Sequence, residues 1–170
     1  MAGKVAAAAA PFTFVGMPTS DLTFRRLDAR HSDRIVELAT LLNPGTAPAE
    51  LAQRLSRQWD WDGYHCFGLF RDDHLIAIAS AWISIRLYGG KIVELDNVIV
   101  DPAARGGGTG SYFLERLQEW ALGEGCRRME LKTYVANSQS HRFYFRHGFS
   151  IYAYYFVKEL QRRATPTASE

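Results

Sequence analysis

The sequence predicts an α/β domain on a mixed β-sheet, with an antiparallel N-terminal meander, a parallel βαβ unit and helices on both faces. Three observations carry this prediction. Apolar residues recur with helical spacing between residues 32 and 59, extended runs separated by short turns occupy 64–100, and a strand–helix–strand order fills 92–135. Strands joined through a helix lie parallel, with a right-handed crossover.

The elements follow in order. Residues 22–27 (Leu-Thr-Phe-Arg-Arg-Leu) read as a strand, and 32–42 as a helix with Ile35, Leu38, Ala39 and Leu42 on one face. Thr46 is the expected N-cap of a second helix that has Pro48 in its first turn and Leu51, Leu55 and Trp59 along one side, until 60–63 break it. The period then becomes extended: 64–70 and 75–87 flank the polar turn Arg71-Asp72-Asp73-His74, and Tyr88-Gly89-Gly90 leads into 92–100. Asp101-Pro102 ends that strand. A glycine cluster opens a helix over 109–122 bearing Phe113, Leu114, Leu117, Trp120 and Ala121, which Gly123 and Gly125 stop. Residues 127–135 alternate Met129, Leu131 and Thr133 against Arg128, Glu130 and Lys132, as a strand does. Asn137 caps a last helix through His147, Gly148 closes it, and 149–160 are expected to form a final aromatic-rich strand.

Composition narrows the function. The 170 residues suit one domain, and 47% hydrophobic with 22% charged residues is the balance of a soluble globular protein. Twenty Lys and Arg against eighteen Asp and Glu leave +2, too even for the basic footprint of a nucleic-acid binder. No apolar run approaches the roughly 20 residues that a membrane span needs. Cys66 and Cys126 form no CxxC pair, which favours two core thiols in a reducing, cytoplasmic compartment over a disulfide framework or a zinc site. The alanine-rich start reads as a flexible leader over 1–20 rather than a secretory signal, because its only early charge is Lys4 and Pro11 interrupts it. Within it 11–16 suggest a short extra strand; the domain spans 21–160, and 161–170 form a polar tail.

The chemistry concentrates in Arg105-Gly106-Gly107-Gly108-Thr109-Gly110, between a strand and a helix N-terminus. Glycines leave a ligand's path open, and the unpaired amides and positive dipole end of a helix hold a phosphate or pyrophosphate. A Walker A loop would need Lys-Ser or Lys-Thr after its last glycine, where this chain has Ser111-Tyr112. A Rossmann fingerprint begun at Gly106 would need Gly or Ala at position 111.

Arg105, Gly108 and Thr109-Gly110 fit the form Arg/Gln-x-x-Gly-x-Gly/Ala, and here the chain resembles the GNAT superfamily of acetyl-CoA-dependent N-acetyltransferases. The likeness continues upstream through Leu95-Asp96-Asn97-Val98-Ile99-Val100-Asp101-Pro102. Downstream, Asn137 and Phe143-Tyr144-Phe145-Arg146-His147-Gly148-Phe149 are similar to the family's Asn…Tyr-x-x-x-Gly-Phe signature. The resemblance implies parallel central strands that splay apart to admit acetyl-CoA. Backbone groups of Val98, Ile99 and Val100 would pair with its pantetheine arm, and Arg105, Gly106, Gly107, Gly108, Thr109, Gly110 and Ser111 would cradle its pyrophosphate. Asn137 would cap its helix, contact the cofactor, or both. It also implies Tyr144 as the general acid that protonates the departing thiolate.

The attacking amine must be neutral, so a base or a water chain is needed near it. Glu94 and Asp96 project from one strand face, both positions serve as base in different branches of the superfamily, and Asp96 is preferred here. His65, His74, His141 and His147 lack positional support. Trp59, Trp61, Tyr88, Tyr152, Tyr154 and Tyr155 lie in segments that flank the acceptor cleft of such a fold. The expected activity is transfer of acetyl from acetyl-CoA to a small-molecule amine, by a monomer or homodimer with no nucleic-acid or membrane partner. The alternatives are a protein N-terminal or lysine acetyltransferase, a non-catalytic acyl-CoA-binding module and, less favoured, a nucleotide-binding oxidoreductase.

Overall fold

A computed structural model of the chain describes residues 21–160. The elements are β1 (Leu22–Arg26), a 3-10 turn (Ala29–His31), α1 (Ser32–Leu42), α2 (Pro48–Gln58), β2 (Tyr64–Arg71), β3 (His74–Arg86), β4 (Gly90–Val100), a second 3-10 turn (Pro102–Ala104), α3 (Thr109–Gly123), β5 (Arg128–Leu131) and α4 (Ser138–Arg146). They build one five-stranded sheet in the order β1-β2-β3-β4-β5, antiparallel except for the parallel β4–β5 pair. The mixed sheet and the βαβ unit are thus as the sequence implies.

Each face of the sheet has its own helices. Phe67, Leu69, Ala77, Ala79, Ala81, Val93 and Leu95 pack against Phe113, Leu114, Leu117 and Ala121 of α3. On the other face Tyr64, Cys66, Ile78 and Ile99 meet Ile35 and Leu38 of α1 and Leu55 of α2. β3 is covered on both sides, so its sequence reads as a continuous apolar run instead of an alternation. The β2–β3 hairpin closes through Asp72 and Asp73, both at positive φ (48° and 61°), as a two-residue turn matched to strand twist requires.

One irregularity in β4 decides where the site lies. Ile78 pairs with Ile99 and Ser80 with Asp96, so β4 spends one residue more than β3 over this stretch. The extra residue is accommodated at Asn97, which sits at φ 49°. Glu94, Asp96 and Ile99 therefore all belong to the α1/α2 side of the sheet.

Three expectations need correction. Ala47, not Thr46, is the N-cap of α2, and Pro48 at the first helical position needs no amide partner. The fifth strand is four residues long rather than nine, because only 128–131 pair with β4 and the chain then leaves the sheet. Residues 149–160 form no strand; from 151 onward they are exposed, and Tyr152 and Tyr155 lie over Arg128 and Lys132, ring centroids 4.6 and 4.5 Å from the cationic groups. The leader, its short strand and the tail fall outside the described residues. Among those described, no helix is long and apolar enough to cross a membrane.

Candidate active site

β4 and β5 form the fork of the site. Their pairing stops at Leu95 opposite Leu131, so from Asp96 to Val100 β4 has β3 on one edge and no strand on the other. An open strand edge offers unpaired N–H and C=O groups to an extended ligand. Val98, Ile99 and Val100, expected to meet the pantetheine arm, lie on this stretch. Asp101 holds its far end: its amide donates to the Ile76 carbonyl at 2.8 Å, and its carboxylate accepts from Ala103 N–H at 2.9 Å and from Arg34 of α1 at 2.5 Å. The Ala103 amide first, and then Arg34, hold the Asp101 carboxyl below its ordinary value.

The glycine loop follows. Gly106, Gly107 and Gly108 take φ of 96°, 56° and 82°, a left-handed run that side chains oppose. Space alone does not demand glycine at 106 and 107, since a Cβ there would meet nothing within 4 Å. Conformation does. The loop is pinned by Thr109, whose amide and hydroxyl both donate to the Gly106 carbonyl (3.1 and 3.0 Å), and by Arg105 Nε, which donates to the Val100 carbonyl at 3.1 Å. Among the described residues, the amides of Gly106, Gly107, Gly108, Gly110 and Ser111 find no backbone acceptor, and those of Gly110 and Ser111 belong to the first turn of α3.

Gly110 packs against α4 as well as opening α3. A Cβ at this position would lie 3.4 Å from the ring of Phe143 and 3.9 Å from Val100. Those are ordinary contact distances, so the space there admits a methyl group and little more. A second tie runs beside it: His147 Nε2 lies 2.9 Å from Ser111 Oγ, and Nδ1 lies 2.8 Å from the Phe143 carbonyl. A carbonyl only accepts, so Nδ1 carries the proton and, in the neutral tautomer, Nε2 accepts from the Ser111 hydroxyl. His147, to which sequence gave no role, thus clamps α4 to the loop.

Tyr144 rides on that clamped helix. Its ring is half-buried between Phe143 and Phe149, at centroid separations of 5.3 and 5.4 Å, and its hydroxyl makes no hydrogen bond among the described residues. Burial raises its pKa, which keeps the phenol protonated at neutral pH. Asn137 caps α4 by accepting the Ser140 amide at 3.1 Å.

The two candidate bases differ sharply. Glu94 is ion-paired to Arg86 at 3.5 Å and, more closely, to Lys132, whose pKa the Glu94 contact raises. Asp96 is exposed, and its oxygens accept from the backbone N–H (2.8 Å) and side-chain amide (3.2 Å) of Asn97. No cation lies in ion-pair range of Asp96 among the described residues. The left-handed Asn97 turns both of its own donors onto the preceding carboxylate, a consequence of the bulge that one-residue periodicity conceals.

Across the sheet Asp96 faces Ser80, which faces Cys66, and Ser80 is hydrogen-bonded to Tyr64 Oη at 3.1 Å. Burial pushes the Cys66 thiol up to about 12 and raises that of Cys126. Both stay protonated, and neither is placed as a nucleophile. Sequence singled out Tyr144, the loop and the carboxylates as candidates. It missed Asn97, Lys132, Arg86 and His147, for which only the fold supplies partners.

Comparison with known proteins places the chain in a family and a fold. Residues 33–149 match the acetyltransferase (GNAT) family. The chain is 25% identical over 107 residues to the uncharacterized N-acetyltransferase YhdJ of Bacillus subtilis, covering 62% of this chain and 75% of the relative. In architecture it is similar to aminoglycoside N-acetyltransferase AAC(6')-Iy in complex with CoA, with a TM-score of 0.69 and 22% identity over 84% of this chain and 95% of that one. A transcriptional regulator from Bacillus halodurans shares the fold as well, with a TM-score of 0.73 and 17% identity over 82% of this chain and 99% of that one.

Proposed function

The chain belongs to the acetyltransferase (GNAT) family, and from that premise we propose that it transfers the acetyl group of acetyl-CoA to a primary amine of a small molecule, by direct attack within a ternary complex. The observation that carries this reading is the fork itself: β4 loses its neighbour at Leu95, and the exposed edge runs straight into a loop with five amides free of backbone acceptors. The pyrophosphate would rest on the amides of Gly106, Gly107, Gly108, Gly110 and Ser111, with Thr109 and Arg105 fixing the loop's shape. The pantetheine would extend along Val98, Ile99 and Val100, bringing the thioester toward Asp96. The two unpaired cysteines suit a reducing cytoplasm.

Asp96 takes the proton that an alkylammonium must lose before its nitrogen can attack. The amine nitrogen then bonds to the thioester carbonyl carbon, the C–S bond breaks, the Tyr144 hydroxyl passes its proton to the CoA thiolate, and the proton that the acylated nitrogen sheds restores the tyrosine. Glu94 suits this role less well, since both of its carboxylate oxygens are already engaged by Arg86 and Lys132. Protonated cysteines favour direct attack over an acyl-enzyme. The test follows thiol release from acetyl-CoA across a panel of amines. Amine-dependent thiol release is expected, together with a higher melting temperature at saturating acetyl-CoA. A melting temperature that acetyl-CoA leaves unchanged would refute the proposal.

A further inference from the structure

Resting on that reading, we infer that the acceptor is a monoamine with an aromatic or flat apolar skeleton, and that Trp61 and Trp82 form the ledge on which the skeleton lies. Two adjacent rows of side chains on the α1/α2 face point to this. One row runs Tyr64, Trp82, Glu94, Glu130 across β2 to β5; the next runs Cys66, Ser80, Asp96. Trp82 is thus beside Glu94 and diagonal to Asp96, within reach for a large side chain. Tyr64 packs against Trp82 at 4.7 Å, and Trp61 meets Trp82 edge-on at 6.1 Å.

Trp61 is 67% exposed, an unusual placement for so large an apolar ring. Its backbone is nevertheless held in place. Its amide donates to Gln58 O at 3.1 Å, its carbonyl accepts from Tyr64 N–H at 3.2 Å, and Gly63 accepts from Ile83 N–H at 2.9 Å. Gly63 sits at φ 79° where a Cβ would lie 2.8 Å from Ile83 O, so this loop is seated on β3. A fixed aromatic edge is a low-entropy contact surface.

Charge sets the other half of the specificity. Glu94 is compensated by Arg86 and Lys132, and Glu130 by Arg128 at 3.5 Å. Asp96 has no ion-pair partner among the described residues, and Lys132, already bound to Glu94, acts on it only by longer-range attraction. One carboxylate without an ion-pair partner beside an aromatic ledge matches one ammonium on an apolar skeleton, and it offers little to a polycation.

The test compares kcat/KM for phenethylamine, propylamine and spermidine, together with equilibrium binding of each to the CoA-loaded enzyme by calorimetry. Phenethylamine should be preferred. Trp61→Ala should lower the phenethylamine-to-propylamine ratio about tenfold in both measurements, chiefly through KM, and Trp61→Phe should restore most of it. Spermidine as the best acceptor, or a ratio that Trp61→Ala leaves unchanged, would overturn the inference while leaving acetyl transfer standing. If no amine releases thiol, acetyl transfer fails, and the binding ratio alone decides whether the ledge selects aromatic amines.

Discussion

Replacing Tyr144 by Phe isolates one hydroxyl. The ring keeps its contacts with Phe143 and Phe149, and the hydroxyl has no hydrogen-bond partner among the described residues, so its loss strands no donor or acceptor. Stability should change by less than about 0.5 kcal/mol. If the hydroxyl protonates the departing thiolate, turnover should fall by roughly 10²–10⁴-fold, the contribution of one positioned acid–base group. The pH dependence supplies a second readout. An acid must be protonated to act, so the wild-type rate should fall as pH rises through the Tyr144 pKa. Burial sets that pKa above the ordinary tyrosine value of about 10. The variant should lack this alkaline limb. Single-turnover thiol release at saturating acetyl-CoA measures the chemical step, with melting temperature and CoA affinity as controls. A variant that turns over at the wild-type rate when chemistry is limiting would refute the general-acid assignment.

Asp96→Asn should abolish the acidic limb of the kcat/KM–pH profile, whereas Glu94→Gln should leave that limb in place, because Arg86 and Lys132 already hold Glu94; a limb lost only in Glu94→Gln would exchange the roles. Gly110→Leu extends past the point where a Cβ already touches Phe143 and should displace the start of α3, weakening CoA affinity, read by calorimetry, more than tenfold; unchanged affinity would show that the Gly110 amide does not hold the pyrophosphate. Asp101→Asn should cost about 1 kcal/mol at pH 7 in urea denaturation, through the weakened link to Arg34. Since the folded Asp101 pKa is lowered, its contribution is present above the unfolded value near 4 and lost as pH falls through the folded one, so the gap should close in acid. A gap constant down to pH 2 would show that the carboxylate's charge contributes nothing.

What the sequence determined by itself was whatever depends on near neighbours. Helical spacing located α1 over Ser32–Leu42, the glycines before Thr109 marked the start of α3, and Asn137 announced the cap of α4. The Arg105–Gly110 loop and Tyr144 four residues before Gly148 were legible because their chemistry is written in short spacings. Only the tertiary structure decided how long strands pair, since pairing depends on what lies across the sheet. Thus residues 132–135 alternate like a strand yet leave β4 after Leu131, and 149–160, rich in strand-forming residues, lie unpaired beside Arg128 and Lys132. The fold also separated two carboxylates that look equivalent in sequence. Glu94 falls between two cations brought from β3 and beyond β5, while the bulge at Asn97 leaves Asp96 exposed and held by its neighbour. Distances between strands are set by long-range packing, and with them which cations stand beside each carboxylate.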